Sequence, residues 1–287
     1  MQFKPLTKKI NIPVLGLGTW TIGGEKEADY THDEESIKAI QDAIKLGYTH
    51  IDTAEVYGAG HCEELIGKAI KLFNRKELFI TTKVYKTNLR YKDLLAAADK
   101  SLARLQTKYI DLYLIHSYNP NIPLEETMDA MAKLVEEKKV RFIGVSNFSV
   151  EQLKKACKYS WHPIVANQIE YSFVARDKGA SNNCLKMESE IIPYCQKNNI
   201  TVIAYRPLAR GDSSLQQHPL LQQLAAKYHK TPAQIVLNWL ISKQNIVAIT
   251  KSTNPQHLQE NMEAMGWELS SEDHVLLDNL KFEEPKN

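Results

Sequence analysis

The chain alternates short apolar runs with longer amphipathic stretches from end to end. Between the runs, residues 91–106 and 123–139 carry apolar side chains at the helical period. Eight runs rich in Val, Ile and Tyr predict strands at residues 14–19, 48–54, 78–84, 109–116, 140–147, 164–171, 200–208 and 245–252. Near-continuous apolar character predicts that both faces of each strand are covered, which is typical of a parallel sheet.

Capping residues mark several of the predicted helix starts. Thr31 with Glu34, and Ser149 with Gln152, have the spacing of a capping box. Asn254 precedes a proline, which is favoured at the first position of a helix. The helices are therefore expected to alternate with the strands in a regular order.

Eight strand–helix units without an intervening linker predict one α/β domain over residues 1–287. The length is close to the roughly 250 residues of a typical (β/α)8 TIM barrel. Two Gly-x-Gly stretches lack the third glycine of a dinucleotide-binding open sheet, so the closed barrel is favoured. Residues 3–13 predict an N-terminal hairpin, and residues 270–280 predict an extra C-terminal helix.

Charge and composition exclude several classes of partner. Lys and Arg total 36 against 34 Asp and Glu, so the net charge of +2 does not favour nucleic acid. No apolar run reaches the roughly 18 residues that a membrane span needs, and the first residues lack a signal-peptide core. The cysteines lack metal-ligand spacing, so no metal site is expected. Reduced thiols and a cytoplasmic location are expected for Cys62, Cys157, Cys184 and Cys195.

Polar side chains end most of the predicted strands. In a barrel of this kind the carboxyl ends of all strands meet at one rim, where active sites are found. Buried polar groups at such a rim must pair with each other or contact a ligand. The residues at these strand ends are Asp52, Lys83, His116, Ser146, Asn147, Gln168, Tyr205, Lys251 and Ser252.

Asp52 and Lys83 end neighbouring strands and are expected to meet. The pair alone fits a structural salt bridge as well as a catalytic role. Tyr57 follows Asp52 in the stretch H-I-D-T-A-E-V-Y-G-A-G and is expected to reach the same opening. The usual pKa of a phenol is about 10, and a nearby ammonium lowers it toward a value useful for proton donation. His116, on the fourth strand, could bind the oxygen of a carbonyl substrate.

The sequence resembles the aldo-keto reductase family over nearly its whole length. The shared motifs are G-L-G-T-W at 16–20, H-I-D-T-A-x-x-Y-G at 50–58, T-K-V at 82–84, D-L-Y-L-I-H at 111–116, I-G-V-S-N-F at 143–148, N-Q-I-E-Y at 167–171, K-S at 251–252 and E-N at 260–261. The resemblance implies a (β/α)8 barrel and reversible hydride transfer between NAD(P)H and an aldehyde or ketone. It implies that Tyr57 is the general acid, that Lys83 lowers its pKa, that Asp52 pairs with Lys83, and that His116 orients the carbonyl.

The same resemblance implies a set of cofactor-binding residues. Amide and hydroxyl groups would hold the nicotinamide carboxamide, and the flat face of an aromatic ring would stack on the nicotinamide. A lysine at a helix N-terminus suits the phosphates. The implied cofactor residues are Thr19, Ser146, Asn147, Gln168, Tyr205, Leu208, Arg210, Lys251, Ser252, Asn254, His257, Glu260 and Asn261.

Three departures from the family pattern bear on specificity. His257 stands where many members have an arginine for the 2′-phosphate, so NADPH is expected and NADH is possible. Ser117 replaces a frequent tryptophan, and the chain ends soon after the last predicted helix. These two departures predict an open pocket for a small carbonyl substrate, walled by Trp20, Tyr85 and Tyr118.

Two other functions remain open from the sequence. A barrel of this family could bind nicotinamide nucleotide and report redox state to a partner with little turnover. Lys83 could instead form a Schiff base in an aldolase, although a paired aspartate would keep that lysine protonated. The sequence specifies neither the substrate nor the oligomeric state.

Overall fold

The structure, a computed structural model, describes residues 1–177, 186–211 and 213–280. A two-stranded antiparallel hairpin, β1 (Phe3–Pro5) and β2 (Asn11–Pro13), comes first. The strands of the closed, parallel barrel are β3 (Leu15–Gly18), β4 (His50–Asp52), β5 (Phe79–Val84), β6 (Ile110–Ile115), β7 (Val140–Ser146), β8 (Ile164–Glu170), β9 (Thr201–Tyr205) and β10 (Ile246–Thr250). The prediction of a (β/α)8 barrel with an N-terminal hairpin is confirmed.

Burial on both faces explains the continuous apolar runs. Every residue of β5, β6 and β8 is buried, because the barrel interior covers one face and the helices cover the other. The helices are α1 (Asp33–Lys45), α2 (His61–Ala69), α3 (Tyr91–Arg104), α4 (Leu124–Glu136), α5 (Val150–Tyr159), α6 (Ile192–Lys197), α7 (Ser213–Gln217), α8 (Pro219–Tyr228), α9 (Pro232–Ser242), α10 (Pro255–Met262) and α11 (Ser271–Asn279).

Two of the predicted caps form and one does not. The Ser149 hydroxyl and the Gln152 side chain make the reciprocal bonds of a capping box at α5. The Asn254 side chain accepts a hydrogen bond from the Gln256 amide at α10. The predicted box of Thr31 with Glu34 is wrong, because α1 begins one residue later and its cap is His32. The Thr31 amide instead donates to the Asp29 carboxylate at 2.9 Å, in a local turn before the helix.

The hairpin closes the amino-terminal end of the barrel. Leu6 and Ile12 pack in one buried cluster with Phe79, the first residue of β5. The Lys4 ammonium donates to the carbonyl oxygens of Ile241, Lys243 and Ile246, and burial lowers the pKa of Lys4 to about 8. The opposite, carboxyl-terminal end therefore remains the open end of the barrel.

The extra helix is present as α11, with the Ser270 hydroxyl accepting from the Asp273 amide at its start. Over the described residues, no helix combines the length and the apolar character needed to cross a membrane. Cys62 and Cys195 are buried, and Cys157 is exposed. Cys184 lies outside the described residues. Groups of three or more potential metal-ligating side chains are absent from the described part of the chain.

Candidate active site

A cavity of about 900 Å³ lies at the carboxyl-terminal end of the barrel. Strand ends and the loops that follow them form its wall, as expected for this fold. The predicted site residues that line it are Thr19, Trp20, Asp52, Tyr57, Tyr85, His116, Ser146, Asn147, Gln168, Tyr205, Leu208, Arg210 and Lys251. Most of the residues that the sequence placed at the rim therefore meet around one space.

Lys83 is fully buried and lies outside the cavity lining, but its ammonium contacts three oxygens, two of them on the lining residues Asp52 and Tyr57. Its ammonium donates to the Asp52 carboxylate at 2.6 Å and to the Thr53 carbonyl at 2.7 Å. The Tyr57 hydroxyl lies 3.4 Å from the same nitrogen. The predicted meeting of Asp52, Lys83 and Tyr57 is thus present as a connected chain of groups. A phenol next to a fixed ammonium is suited to donating a proton into the cavity.

Burial and pairing oppose each other in setting the pKa values of these groups. Burial alone would lower the pKa of Lys83, but Asp52 and Tyr57 together raise it above its usual value, so the lysine is held as an ammonium. Burial raises the pKa of Tyr57, and the expected lowering by Lys83 is smaller. The predicted lowering of this pKa by Lys83 is therefore present, but burial, whose depth the sequence did not show, outweighs it. The phenol is protonated at neutral pH, which is the state that a proton donor needs.

His116 faces Tyr57 and Tyr85 across the cavity. Its ring centroid lies 6.0 Å from that of Tyr57 and 6.1 Å from that of Tyr85, both edge to face. Burial, with a smaller effect of Lys83, lowers the pKa of His116 to about 3. A neutral imidazole beside a phenol can bind one carbonyl oxygen without competing for the proton. The Nδ1 atom is buried and has no partner among the described groups.

Gly58 brings the Tyr57 loop back over the rim. It adopts φ 54° in a short turn over Tyr57–Gly60, a conformation that strains side chains with a Cβ. A Cβ at this position would lie 2.2 Å from the carbonyl oxygen of Gly23. The Gly58 amide also donates to the Glu25 carbonyl at 3.2 Å. The turn therefore needs glycine both for its dihedral angles and for its contact with the preceding loop.

We expect Gly58→Ala to lower both stability and turnover. The clash and the positive φ should cost about 1–3 kcal/mol of unfolding free energy. Displacement of the adjacent Tyr57 by about 1 Å should lower kcat by about 10²-fold. Gly266→Ala is the matched control, because Gly266 also has positive φ (86°) but no atom within 4 Å of the added Cβ. Urea unfolding and initial rates test this, and equal loss of turnover in both variants would contradict the role of the contact with the Gly23 loop.

A network of amides and hydroxyls joins the strand ends around the cavity. The Asn147 amide nitrogen donates to the Ser146 hydroxyl at 3.0 Å and to the His116 carbonyl at 3.2 Å. Its oxygen accepts from the Tyr205 hydroxyl at 3.0 Å. The Gln168 amide donates to the second oxygen of Asp52 at 2.7 Å. These predicted cofactor residues therefore fix one another, and Gln168 also holds the carboxylate that pairs with Lys83.

Thr19 contributes to the same network. Its hydroxyl donates to the Asp52 carbonyl at 2.9 Å and accepts from the Cys62 thiol at 3.2 Å. Thr19, the residue after β3, thus fixes the end of the neighbouring strand β4. Its side chain is fully buried, although the residue forms part of the cavity wall.

The predicted residues of α10 lie outside the cavity lining. The Ser252 hydroxyl accepts from the Asn254 amide, and the Asn254 side chain accepts from the Gln256 amide at the start of α10. His257 is exposed. Glu260 accepts from the Thr231 hydroxyl at 2.6 Å, which ties α10 to α9. Asn261 is buried. Of the cofactor residues predicted between 251 and 261, the described lining of the cavity therefore includes only Lys251.

Trp20 and Tyr85 form aromatic walls, whereas Tyr118 does not. The guanidinium carbons of Arg210 and Arg206 lie 4.7 and 5.4 Å from the centroid of Trp20. Tyr118 lies outside the cavity lining and packs edge to face on Phe148, with centroids 5.7 Å apart. Its position in the chain next to Ser117, which does line the cavity, was the only signal for the prediction.

Sequence reasoning missed several residues of the wall. Arg206 fell inside the predicted strand 200–208, but β9 ends at Tyr205 and Arg206 turns with φ 52°. The proline that follows Arg206 was a signal for this turn. Further lining residues that were missed are Thr21, Glu25, Lys26, Val56, Pro207, Ile249 and Thr250.

Comparison with known proteins identifies the family. The model of the Aldo/keto reductase family matches residues 14–281. The chain belongs to the aldo/keto reductase family. It is therefore an oxidoreductase of a family that depends on NAD(P)H, and its barrel is the fold expected from the sequence.

Solved and curated relatives agree with this assignment. A thermostable aldo-keto reductase, in complex with the inhibitor epalrestat, is 48% identical to this aldo/keto reductase, with a TM-score of 0.92 over 97% of this chain and 99% of that one. An aldo/keto reductase from Klebsiella pneumoniae in complex with NADP and acetate is 34% identical, with a TM-score of 0.83 over 93% and 91% of the two chains. Glyoxal reductase of Bacillus subtilis is 36% identical over 96% of this chain and 91% of its own.

The cavity wall fits a nicotinamide dinucleotide. Lys251 and Arg210 both line the cavity, and neither forms an ion pair within residues 1–177, 186–211 and 213–280. Cations without a carboxylate partner are suited to phosphate groups. The volume of about 900 Å³ is within the range of cofactor and ligand sites. The binding of a nicotinamide cofactor therefore agrees with both the family and the side chains of this chain.

Proposed function

We propose that this protein reduces aldehydes and ketones with NADPH, and that Tyr57 donates the proton to the carbonyl oxygen. The observation that supports this most directly is the Tyr57 hydroxyl 3.4 Å from the Lys83 ammonium, at the wall of the cavity. When bound, the nicotinamide supplies the hydride. The side chains described above bind, orient and protonate the carbonyl group.

The hydrogen-bonded chain of Gln168, Asp52 and Lys83 supports a separate role for each group. Lys83 is held charged by Asp52, and Asp52 is held in place by Gln168. The ammonium therefore stabilises negative charge on the Tyr57 oxygen as the proton leaves. The neutral His116 imidazole orients the carbonyl oxygen toward the phenol. Because the same groups operate in both directions, the reverse oxidation of the alcohol uses the Tyr57 oxygen as base.

The cofactor preference is proposed as NADPH over NADH. Lys251 at the cavity wall, and Ser252 and Asn254 at the start of α10, support phosphate binding. His257 is exposed and lacks the bidentate fork of an arginine, so the preference should be moderate and NADH should also react. Leu208 and Tyr205 line the side of the cavity proposed for the nicotinamide. Glu260 and Asn261 are proposed for the adenine end.

Small aldehydes are the proposed substrates. The cavity is walled by Trp20 and Tyr85 and is not closed by a bulky residue at Ser117. The similarity to glyoxal reductase supports two-carbon and three-carbon dicarbonyls as first substrates to test. The aromatic walls and neutral His116 suit uncharged carbonyl compounds better than anionic ones.

A cofactor-oxidation screen tests the proposal. The oxidation of NADPH and of NADH should each be followed by absorbance with glyoxal, methylglyoxal, simple aldehydes, diketones and sugars. We expect turnover with dicarbonyls and aldehydes, with kcat/KM about 10–100-fold higher with NADPH. Tight binding of NADPH without oxidation by any carbonyl compound would favour the redox-sensor alternative. Trapping of a borohydride-reduced lysine adduct without nucleotide would favour the aldolase.

A further inference from the structure

A second cavity of about 480 Å³ adjoins the first. Three residues line both cavities: Lys26, Val56 and Tyr85. The second cavity lies between the loops that follow β4 and β5 and one face of α3, where it is lined by Ala96 and Ala97. The two cavities therefore meet at Lys26, Val56 and Tyr85.

Glu55 joins this second cavity to the reaction centre. Its carboxylate accepts from the Tyr85 amide at 2.5 Å and from the Asn88 side chain at 3.1 Å. Glu55 lies two residues before Tyr57, and Tyr85 lies two residues after Lys83. The Tyr85 ring in turn is 6.1 Å from His116. The second cavity is thus held at a fixed position relative to the proposed acid.

The polar groups of the second cavity carry both signs of charge. Two carboxylate side chains, Glu55 and Asp93, and two lysines, Lys26 and Lys100, line it. Within the part of the chain that the structure describes, Lys26, Asp93 and Lys100 form no ion pair. Arg104 also lines the space but is already paired with Glu63 at 2.7 Å. The cavity therefore offers hydrogen-bond donors and acceptors together, without a strong net charge.

We propose that this second cavity binds the distal, hydroxyl-bearing part of an extended open-chain carbonyl substrate. The inference rests on the proposed function, because it requires a carbonyl group at Tyr57 and His116. A hydroxyl group both donates and accepts, so it can bond to the carboxylates and the ammonium groups in the same space. Such bonds to charged groups are stronger than bonds between neutral groups.

The same lining disfavours the two other types of substrate tail. An apolar tail would remove water from four charged side chains without replacing their hydrogen bonds, which is costly. An anionic tail would be attracted by Lys26 and Lys100 but repelled by Glu55 and Asp93. Apolar contacts are limited to Val56, small alanines and the Tyr85 ring at the junction.

Filling the second cavity tests the proposal. Ala96→Phe places a ring in the space without changing any residue that lines the first cavity. Ala103→Phe is the control, because Ala103 is exposed on the same helix about two turns further along and lies outside the lining. The substrates are D-xylose and pentanal as long members, and D-glyceraldehyde and propanal as short ones. The ring-closed fraction of D-xylose is the same in every assay, so it cancels when the kcat/KM values of two variants are compared.

We expect Ala96→Phe to lower kcat/KM for D-xylose by about tenfold or more. The kcat/KM values for D-glyceraldehyde and propanal should stay within about twofold of wild type. The kcat/KM for pentanal should fall by a smaller factor than that for D-xylose. Equal losses for D-xylose and pentanal would overturn the preference for hydroxyl groups. Unchanged values for all four would overturn the site itself. If wild-type protein reduces none of the short aldehydes, the proposed function fails instead.

A second variant tests the charged groups without filling the space. Asp93→Asn combined with Lys100→Met removes one carboxylate and one ammonium from exposed positions of α3, so folding should be retained. KM for D-xylose should rise about 3–10-fold, with kcat and the constants for propanal unchanged. An unchanged KM for D-xylose in this variant would contradict the proposed contacts.

Discussion

Tyr57→Phe is expected to lose about 10²–10⁴-fold in turnover, because it removes the hydroxyl proposed to protonate the carbonyl oxygen. The ring remains, so the cavity keeps its shape. Lys83 keeps its bonds to Asp52 at 2.6 Å and to Thr53 at 2.7 Å, so stability should change little. Steady-state rates of NADPH oxidation and the cofactor Kd from fluorescence titration test this, and the Kd should be nearly unchanged.

The reverse reaction provides a stricter test of the same residue. A catalyst cannot change the equilibrium constant. If cofactor binding is unchanged, kcat/KM for alcohol oxidation should therefore fall by the same factor as kcat/KM for carbonyl reduction. Tyr85→Phe is the matched control, since it removes another tyrosine hydroxyl from the same cavity wall, 6.1 Å from His116 between ring centroids. Its rates should remain within a few-fold of wild type. Retention of more than about a tenth of wild-type turnover in Tyr57→Phe would remove Tyr57 from the acid role.

The sequence was sufficient for the barrel because burial leaves a clear pattern. Strands covered on both faces are apolar throughout, and eight such runs occur in the chain. The positions of the strand ends were predicted less accurately. The run 200–208 includes Arg206 and Leu208, but β9 ends at Tyr205, where the backbone turns to positive φ. The apolar pattern continues past that turn because Leu208 lines the cavity.

The rim residues could be predicted, but not all of their partners. The end of each predicted strand identifies the residue at the carboxyl-terminal rim of the barrel. The sequence therefore placed Asp52, Lys83 and His116 at one opening. Gln168 lines the cavity, and its amide also bonds to Asp52 on the opposite side of the barrel, a contact that the sequence did not predict. Contacts across a closed barrel depend on its diameter and tilt, which a linear pattern does not contain.

The positions of loop side chains were also not predicted from the sequence. Tyr118 was expected in the substrate pocket but packs on Phe148, while Lys26 and Val56 were not considered and line both cavities. Loop side chains follow backbone dihedral angles that many sequences adopt, so no periodic pattern shows where they lie. The sequence also did not show how deeply Tyr57 is buried, so it predicted the lowering of the Tyr57 pKa by Lys83 but not the larger rise caused by burial.

Lys83→Met is expected to lower both turnover and stability. The Asp52 carboxylate would stay buried, and among the described side chains Gln168 would be its remaining hydrogen-bond partner. Removing one member of a buried ion pair typically costs about 3–5 kcal/mol, because the other charge is left uncompensated. Turnover of the folded fraction should fall by about 10²-fold or more, since the Tyr57 oxygen loses its neighbouring positive charge. Urea unfolding followed by circular dichroism, together with kcat under folding conditions, measures the two effects separately.

The double variant Asp52→Asn with Lys83→Met separates catalysis from barrel stability. Neutralising both members removes the unpaired charge, so most of the lost stability should return. Turnover should not return, because the ammonium beside Tyr57 is still absent. Arg75→Met is the control at the opposite end of the barrel, where it breaks the Arg75–Asp111 pair at 2.7 Å. That variant should lose stability and keep its kcat. If the double variant regained both stability and turnover, the pair of Asp52 and Lys83 would be only the structural salt bridge that the sequence also allowed.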